Sequence, residues 1–276
     1  MSRLREGIAA AAARLAEAGV PSPRFDAEEL AALSLGVDRR DLWRHDEVGE
    51  RFAAYVARRA AREPLQHITG RAHFRHLTLE VGPGVFIPRP ETEVVAESAI
   101  ASARTRTAPV VVDLCTGSGA IALAVADEVP GAVVHAVEAD PAAHQWAARN
   151  CTGTAVDLRL GDMGKAFHDL DGTVDVVVSN PPYIPVGAHV RDPEVATHDP
   201  SLALWSGDDG LDAVRVVEQV AARLLRPGGH VVVEHADLQG ESAPAVFAAT
   251  GRWTDVRDHP DLAGRDRYLT ATRGDG

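Results

Sequence analysis

Residues 175–184 read Asp-Val-Val-Val-Ser-Asn-Pro-Pro-Tyr-Ile, and the last half of this stretch has the side chains for holding a planar amine. Asn180 carries a carbonyl acceptor, Pro181 holds its own carbonyl in a nearly fixed direction, and Tyr183 supplies a flat face. An NH2 group set there donates one hydrogen to Asn180 and one to Pro181 while its π face rests on Tyr183. Its lone pair is then left free to meet an electrophile. An Asn-Pro pair is more often a plain turn former, but Asn180, Pro181, Pro182 and Tyr183 in this order directly after a strand favour the clamp.

An acidic residue followed by three valines predicts a short strand buried on both faces, and the two prolines end it. In an open α/β sheet ligands sit beyond the carboxyl ends of the strands, which is where Asn180 to Tyr183 would project.

A second loop of the same kind runs through Asp113-Leu-Cys-Thr-Gly-Ser-Gly-Ala-Ile-Ala122, from the end of one valine-rich run into a helical pattern. Gly117 and Gly119 let the backbone approach a ligand beside exposed helix N–H groups. Glu138 follows about 20 residues on, where a carboxylate can accept from both ribose hydroxyls. These features alone fit a nicotinamide cofactor equally well. Asp162, after the next strand, is placed to accept from an adenine amino group, and an amine clamp requires a methyl electrophile rather than a hydride. The expected cofactor is therefore S-adenosylmethionine, leaving as S-adenosylhomocysteine. Cys115 has no readable His partner and reads as a small apolar contact. His73 and His76 lack a third ligand nearby and read as solvent-facing, so no metal is expected.

The chain has 276 residues and a net charge of −12. Residues 1–70 hold 11 Arg and 11 acidic residues, which leaves 17 basic against 29 acidic in 71–276. That part is a poor match for a phosphate backbone, so direct nucleic-acid binding is not required. There is no apolar run of membrane-spanning length and no signal-type amino terminus, and the two cysteines make neither a metal motif nor a disulfide framework. A cytoplasmic monomer is expected.

Leu4, Ile8, Ala11, Ala12 and Leu15 recur at helical spacing, and further apolar stripes fall at Leu30 and Leu33, at Leu42 and Trp43, and at Phe52, Tyr55 and Val56. Residues 1–68 thus form a small helical domain suited to binding a partner. Residues 69–85 change to an alternating pattern, with Phe74, Leu77, Leu79 and Val81, and read as a β-hairpin linker. The prolines of Phe86-Ile-Pro-Arg-Pro-Glu-Thr-Glu93 make a rigid wall before the next helix. Residues 86–276 alternate strands and helices, with strands at 110–114, 132–137, near 158, at 174–178 and at 230–234 and a helix at 211–225. A closing antiparallel pair lies around 253–256 and 267–271. This is a doubly wound parallel sheet with an antiparallel edge.

Across nearly its whole length the chain resembles the bacterial peptide chain release factor glutamine N5-methyltransferases of the HemK type. The matching segments are Pro64 to Gly70, Phe86 to Glu93, Asp113 to Gly119, Ser179 to Ile184, Gly207 to Asp212, Glu234 with Gln239, and Asp261 to Arg267. The clamp motif is shared with amino-methyltransferases of nucleic acids, whereas the helical domain and the Ile-Pro-Arg-Pro-Glu-Thr-Glu element are not.

The resemblance implies a class I S-adenosylmethionine-dependent methyltransferase fold. It also implies transfer of a methyl group to the glutamine side-chain nitrogen in the Gly-Gly-Gln loop of class I release factors. By position, Cys115, Thr116, Gly117, Ser118, Gly119 and Glu138 hold the cofactor, with Asp162 and Met163 beside its adenine and Asn180 reaching it too. Asn180, Pro181, Pro182 and Tyr183 hold the glutamine, and Phe86 walls the pocket. Departures from the family pattern stand at His67, Cys115, Glu138 and Met163. The alternatives are methylation of adenine or cytosine amino groups, methylation of another protein glutamine, and nicotinamide-dependent oxidoreduction.

Overall fold

A computed structural model describes residues 3–190 and 192–275. Met1, Ser2, Arg191 and Gly276, which the domain division above includes, lie outside the described residues. Two compact units divide the chain. One holds the chain up to Arg71 together with Val81–Pro83 and Val190–His198, and the other holds Ala72–Glu80, Gly84–His189 and Asp199–Gly276.

The first unit is helical. Helix α1 (Arg3–Glu17) buries Leu4, Ile8, Ala11 and Leu15 along one stripe. Helix α2 (Pro23–Leu35) starts with proline in its first turn, where no intrahelical donor is lost, and closes at Gly36 in the left-handed conformation. Helices α3 (Phe52–Ala60) and α4 (Leu65–Thr69) complete a core that includes Leu15, Leu30, Phe52, Val56 and Ile68. The expected stripe at Leu42 and Trp43 is not one. Arg39–Arg44 is a 3₁₀ turn that buries Leu42 and leaves Trp43 74% exposed, since two adjacent residues on a three-residue repeat point to different sides.

Val190 and residues 192–198, assigned by sequence to the catalytic domain, group instead with these helices, and a buried charge cluster gives the reason. Arg59 donates to Asp26 at 2.7 Å and to Glu194 at 2.8 Å, and Arg62 donates to the same Glu194 oxygen. Glu194 belongs to helix α8 (Pro193–His198).

Strands β1 (Arg71–Phe74) and β2 (Leu77–Glu80) form the two-stranded hairpin, which belongs to the second unit from Ala72 on. Helix α5 (Thr92–Arg104) leads to β3 (Val110–Leu114), α6 (Ala120–Glu128), β4 (Val133–Glu138), α7 (Pro141–Asn150), β5 (Asp157–Leu160) and β6 (Val174–Ser179). Helix α9 (Asp212–Leu224), β7 (Leu225–Glu234), α10 (Ser242–Ala248), β8 (Trp253–Pro260) and β9 (Asp266–Arg273) follow. The expected helix end at Leu225 moves back by one residue, and β7 starts earlier than expected, bulging past Pro227 and Gly228 before it regains register at His230.

The sheet order is β5-β4-β3-β6-β7-β9-β8, with the first five strands parallel and β9 and β8 antiparallel. Chain direction across the sheet reverses its order between β3 and β6, and the crevice outside their carboxyl ends is the position where such sheets bind ligands. Alternate residues on one face, among them Val112, Leu114, Val177, Val231 and Leu269, share a core with Val214, Val217 and Leu224 of α9 and Phe247 of α10. The other face is covered too: Asp113 points to α6, and α5 packs on β6 and β7. Burial on both faces explains why these strands read as valine runs rather than alternating patterns.

Candidate active site

Two loops meet at that crevice because their strands are neighbours in register. Leu114, the last residue of β3, pairs with Ser179, the last of β6, and the Ser179 hydroxyl donates to the Leu114 carbonyl at 2.6 Å. Cys115 to Gly119 and Asn180 to Tyr183 therefore leave the sheet side by side.

The first loop is shaped by Asp113. This carboxylate is fully buried and accepts through one oxygen from the Thr116 hydroxyl at 2.6 Å and from the Ala122 N–H at 3.1 Å, which bends the chain back onto the start of α6. Its other oxygen is buried without a hydrogen-bond partner, and burial pushes the carboxyl up to about 7. Cys115 takes φ +62°, a strained value for a residue with a side chain. Burial raises its thiol, with the nearby Glu138 charge adding to the effect, so it is a poor nucleophile, and its sulfur lies 3.4 Å from that of Met163. A side chain built at Gly117 would meet nothing within 4 Å, so the backbone there faces open space.

Glu138 ends β4 and crosses toward this loop. Its two oxygens accept from the Gly117 and Asp140 N–H groups, both at 2.8 Å, while burial raises its carboxyl. Asp162 follows β5, is exposed, and accepts from the Gly164 N–H at 2.8 Å. A cavity of about 360 Å³ beside it is lined by Val137, Leu160, Gly161, Ala166 and Phe167 as well.

The second loop is held from below. Pro181 is buried, and Pro182 and Tyr183 are half-buried. The Tyr183 carbonyl accepts from Gln239 at 3.1 Å, and the loop's next residues hydrogen-bond to the segment from Leu204 to Gly207. The Tyr183 hydroxyl donates to Glu234 at 3.2 Å; burial and that neighbouring charge both raise the phenol. Glu234, at the end of β7, is itself buried and pushed up to about 7.

Sequence reasoning did not find the residues that aim Asn180. The Asn180 side-chain nitrogen donates to the Thr92 hydroxyl at 3.3 Å, and Thr92 is buried at the start of α5. The proline-bounded element, expected to wall the site, has further contacts: Arg89 lies over the Phe86 ring at 5.1 Å and donates to buried Asp199 at 2.7 Å, and its charge reaches Tyr183. Asn150 was also missed. It donates to the Ser118 carbonyl and exchanges two hydrogen bonds with Glu80 of the hairpin. The only sequence signal for Thr92 is its place in the Ile-Pro-Arg-Pro-Glu-Thr-Glu run. The histidines at 73 and 76 are exposed, and among the described residues no group of three or more His, Cys, Asp or Glu could hold a metal ion.

Comparison with known proteins places these features in one family. A model described as the PrmC N-terminal domain matches residues 6–70, and one described as the Methyltransferase small domain matches residues 80–196. The release factor glutamine methyltransferase of Streptomyces coelicolor is 57% identical over 99% of both chains. The 4-amino-L-phenylalanine/4-methylamino-L-phenylalanine methyltransferase of Streptomyces pristinaespiralis is 44% identical over 98% of this chain and 95% of its own. In fold alone, the chain is like the 16S rRNA N2 G1207 methyltransferase of T. thermophilus, with a TM-score of 0.54 and 21% identity over 74% of this chain and 49% of that one. A whole-length match of this closeness, over both the helical unit and the sheet, means that the chain belongs to the release factor glutamine methyltransferase family.

Proposed function

We propose that this enzyme transfers a methyl group from S-adenosylmethionine to the side-chain nitrogen of the glutamine in the Gly-Gly-Gln loop of class I release factors. The observation that carries the reading is the pairing of Leu114 with Ser179, which sets the glycine loop and the amine clamp side by side at the switch point of the sheet. The residues present fit the cofactor. Backbone around Gly117 is open, Glu138 is a buried carboxylate at the end of β4, and Asp162 and Met163 stand after β5, one for the adenine amino group and one for its ring. When bound, S-adenosylmethionine supplies an electrophilic methyl on a sulfonium.

The chain's own contribution is positional and electrostatic. An amide nitrogen is a weak nucleophile because its lone pair is delocalised. The Asn180 side-chain carbonyl and the Pro181 carbonyl accept its two hydrogens, turn the lone pair outward, and stabilise the positive charge that grows on nitrogen. Tyr183 and Phe86 bound the plane of the amide. The surplus proton leaves to solvent after transfer.

The helical unit, residues 1–68 with α8, is assigned to recognition of the folded substrate, because binding energy remote from the reacting nitrogen can hold it in place. Release factor, cytoplasmic location and a monomeric state go together with this reading, and no helix among the described residues is long and apolar enough to cross a membrane. The test is incubation of the purified enzyme and labelled methyl donor with intact release factor, with a Gly-Gly-Gln peptide and with 4-amino-L-phenylalanine. Label on the glutamine, much faster on the intact factor than on the peptide, is the expected result. Label on the arylamine alone would transfer the reading to the substrate class of the S. pristinaespiralis relative.

A further inference from the structure

Tyr183 is anchored at both ends, and both anchors come from the end of β7 and the turn that follows it. Its hydroxyl donates to Glu234 at 3.2 Å, and its backbone carbonyl accepts from the Gln239 side chain at 3.1 Å. Gln239 is buried at the close of a 3₁₀ turn, Asp237–Gln239, and both ends of its carboxamide are used. The side-chain carbonyl accepts from the Ala236 N–H at 2.9 Å. The NH2 group faces the Tyr183 carbonyl and, more distantly, those of Asp209 and Gly210, both at 3.4 Å. Only this orientation works: a carboxamide turned over would set an acceptor against three carbonyl oxygens and a donor against an N–H. Gln239 thus joins the turn after β7, the loop before α9 and the segment that carries Tyr183.

We propose that Gln239 is a positioning residue for methyl transfer, whose NH2 group holds the Tyr183 backbone so that the ring and the Pro181 carbonyl keep their directions toward the substrate nitrogen. The inference rests on the assignment of Asn180 to Tyr183 as the amine clamp. Pro182 lies between the anchor and the acceptor, and its ring locks φ. An anchored Tyr183 therefore leaves little freedom to the peptide that carries the Pro181 carbonyl. Such precision bears on rate, because a misplacement of about 1 Å at the reacting atoms can cost on the order of 100-fold.

The experiment uses full-length enzyme with Gln239→Met and Gln239→Glu, both close to glutamine in size. Met removes both halves of the bonding and adds no charge, so it carries the comparison even if the buried carboxylate of Glu prevents folding. Glu keeps an acceptor for the Ala236 N–H and puts its second oxygen against the Tyr183, Asp209 and Gly210 carbonyls. Gln239→Met should lower kcat roughly tenfold and Gln239→Glu further, with the affinity for S-adenosylhomocysteine unchanged in both. The acceptor is whichever of intact release factor, Gly-Gly-Gln peptide and 4-amino-L-phenylalanine the wild type methylates.

The second readout needs no substrate. The chain has three tyrosines, so selective carbon-13 labelling gives three sets of ring signals, assigned by replacing each tyrosine with Phe. The signals of Tyr183 should shift in the Gln239 variants while those of Tyr55 and Tyr268 stay. Unchanged kcat in either variant, a loss of cofactor affinity in step with kcat, or fixed Tyr183 signals would overturn the proposal. Shifted Tyr183 signals and lowered kcat in an enzyme that labels the arylamine and no glutamine would uphold the positioning role and sink the release factor reading instead.

Discussion

The Ser179 hydroxyl donates to the Leu114 carbonyl at 2.6 Å, and both residues are fully buried. This bond crosses between the two strands whose ends carry the glycine loop at 115–119 and the Asn-Pro-Pro-Tyr loop at 180–183. Ser179→Ala would leave a buried carbonyl short of a partner, at about 1–3 kcal/mol. Urea denaturation should show that loss with an unchanged m-value. A variant as stable as wild type would mean that the strand ladder alone holds the two loops together.

Glu138→Ala should weaken S-adenosylmethionine binding by the loss of charge-assisted hydrogen bonds, each on the order of 1.5–3 kcal/mol. Because Glu138 also accepts from Gly117 and Asp140, part of the loss comes from a looser glycine loop. Titration calorimetry measures it, and a preference of the wild type for a nicotinamide dinucleotide would refute the cofactor assignment.

Asn180→Ala should leave cofactor affinity nearly intact and lower turnover by roughly 100-fold, the usual cost of one preorganised transition-state contact. Single-turnover kinetics at saturating cofactor give the comparison. Near-normal turnover would remove the clamp from the mechanism.

Gly210 has φ +76°, and a side chain there would come within 2.4 Å of the Tyr183 carbonyl and 2.8 Å of the Gln239 side chain. Gly210→Ala should therefore push the clamp from beneath, costing about 1–3 kcal/mol of stability and lowering kcat without weakening cofactor binding. If thermal melting and kcat both match the wild type, Gly210 does not support the clamp.

Asp113 should make stability fall with pH. Its carboxyl stands at about 7 in the folded protein against 3.8 unfolded, so the folded state binds the proton more tightly. The favourable contribution is complete below about pH 4 and is lost as pH rises to 7, on the order of 4 kcal/mol. Glu234, raised in the same direction, acts with it. Asp113→Asn should reduce the drop in urea midpoint between pH 5 and pH 8, and an identical drop would show that Asp113 does not titrate in that range.

Much of the fold could be read directly. The valine-rich runs at 110–114 and 174–178 are strands because a sheet covered on both faces favours β-branched residues on both sides of the strand, and the structure has β3 and β6 there. The mixed sheet and its antiparallel edge agree with the expected class. The helical pattern of Leu4, Ile8, Ala11 and Leu15 is a buried stripe for the equally local reason that side chains three and four apart share a face.

What the sequence determined by itself is the chemistry of each loop, since backbone donors removed by Pro181 and Pro182, the open backbone at Gly117 and the acceptor on Asn180 are properties of single residues. What only the tertiary structure decided is which residues control them from a distance. Thr92 precedes Asn180 by 88 positions, Glu234 follows Tyr183 by 51, and Glu194 meets Arg59 across 135. No local periodicity encodes such pairs. They exist because burying a carboxylate, a hydroxyl or a guanidinium is costly unless a partner is brought to it, and the partner comes from whichever strand or helix the packing places alongside.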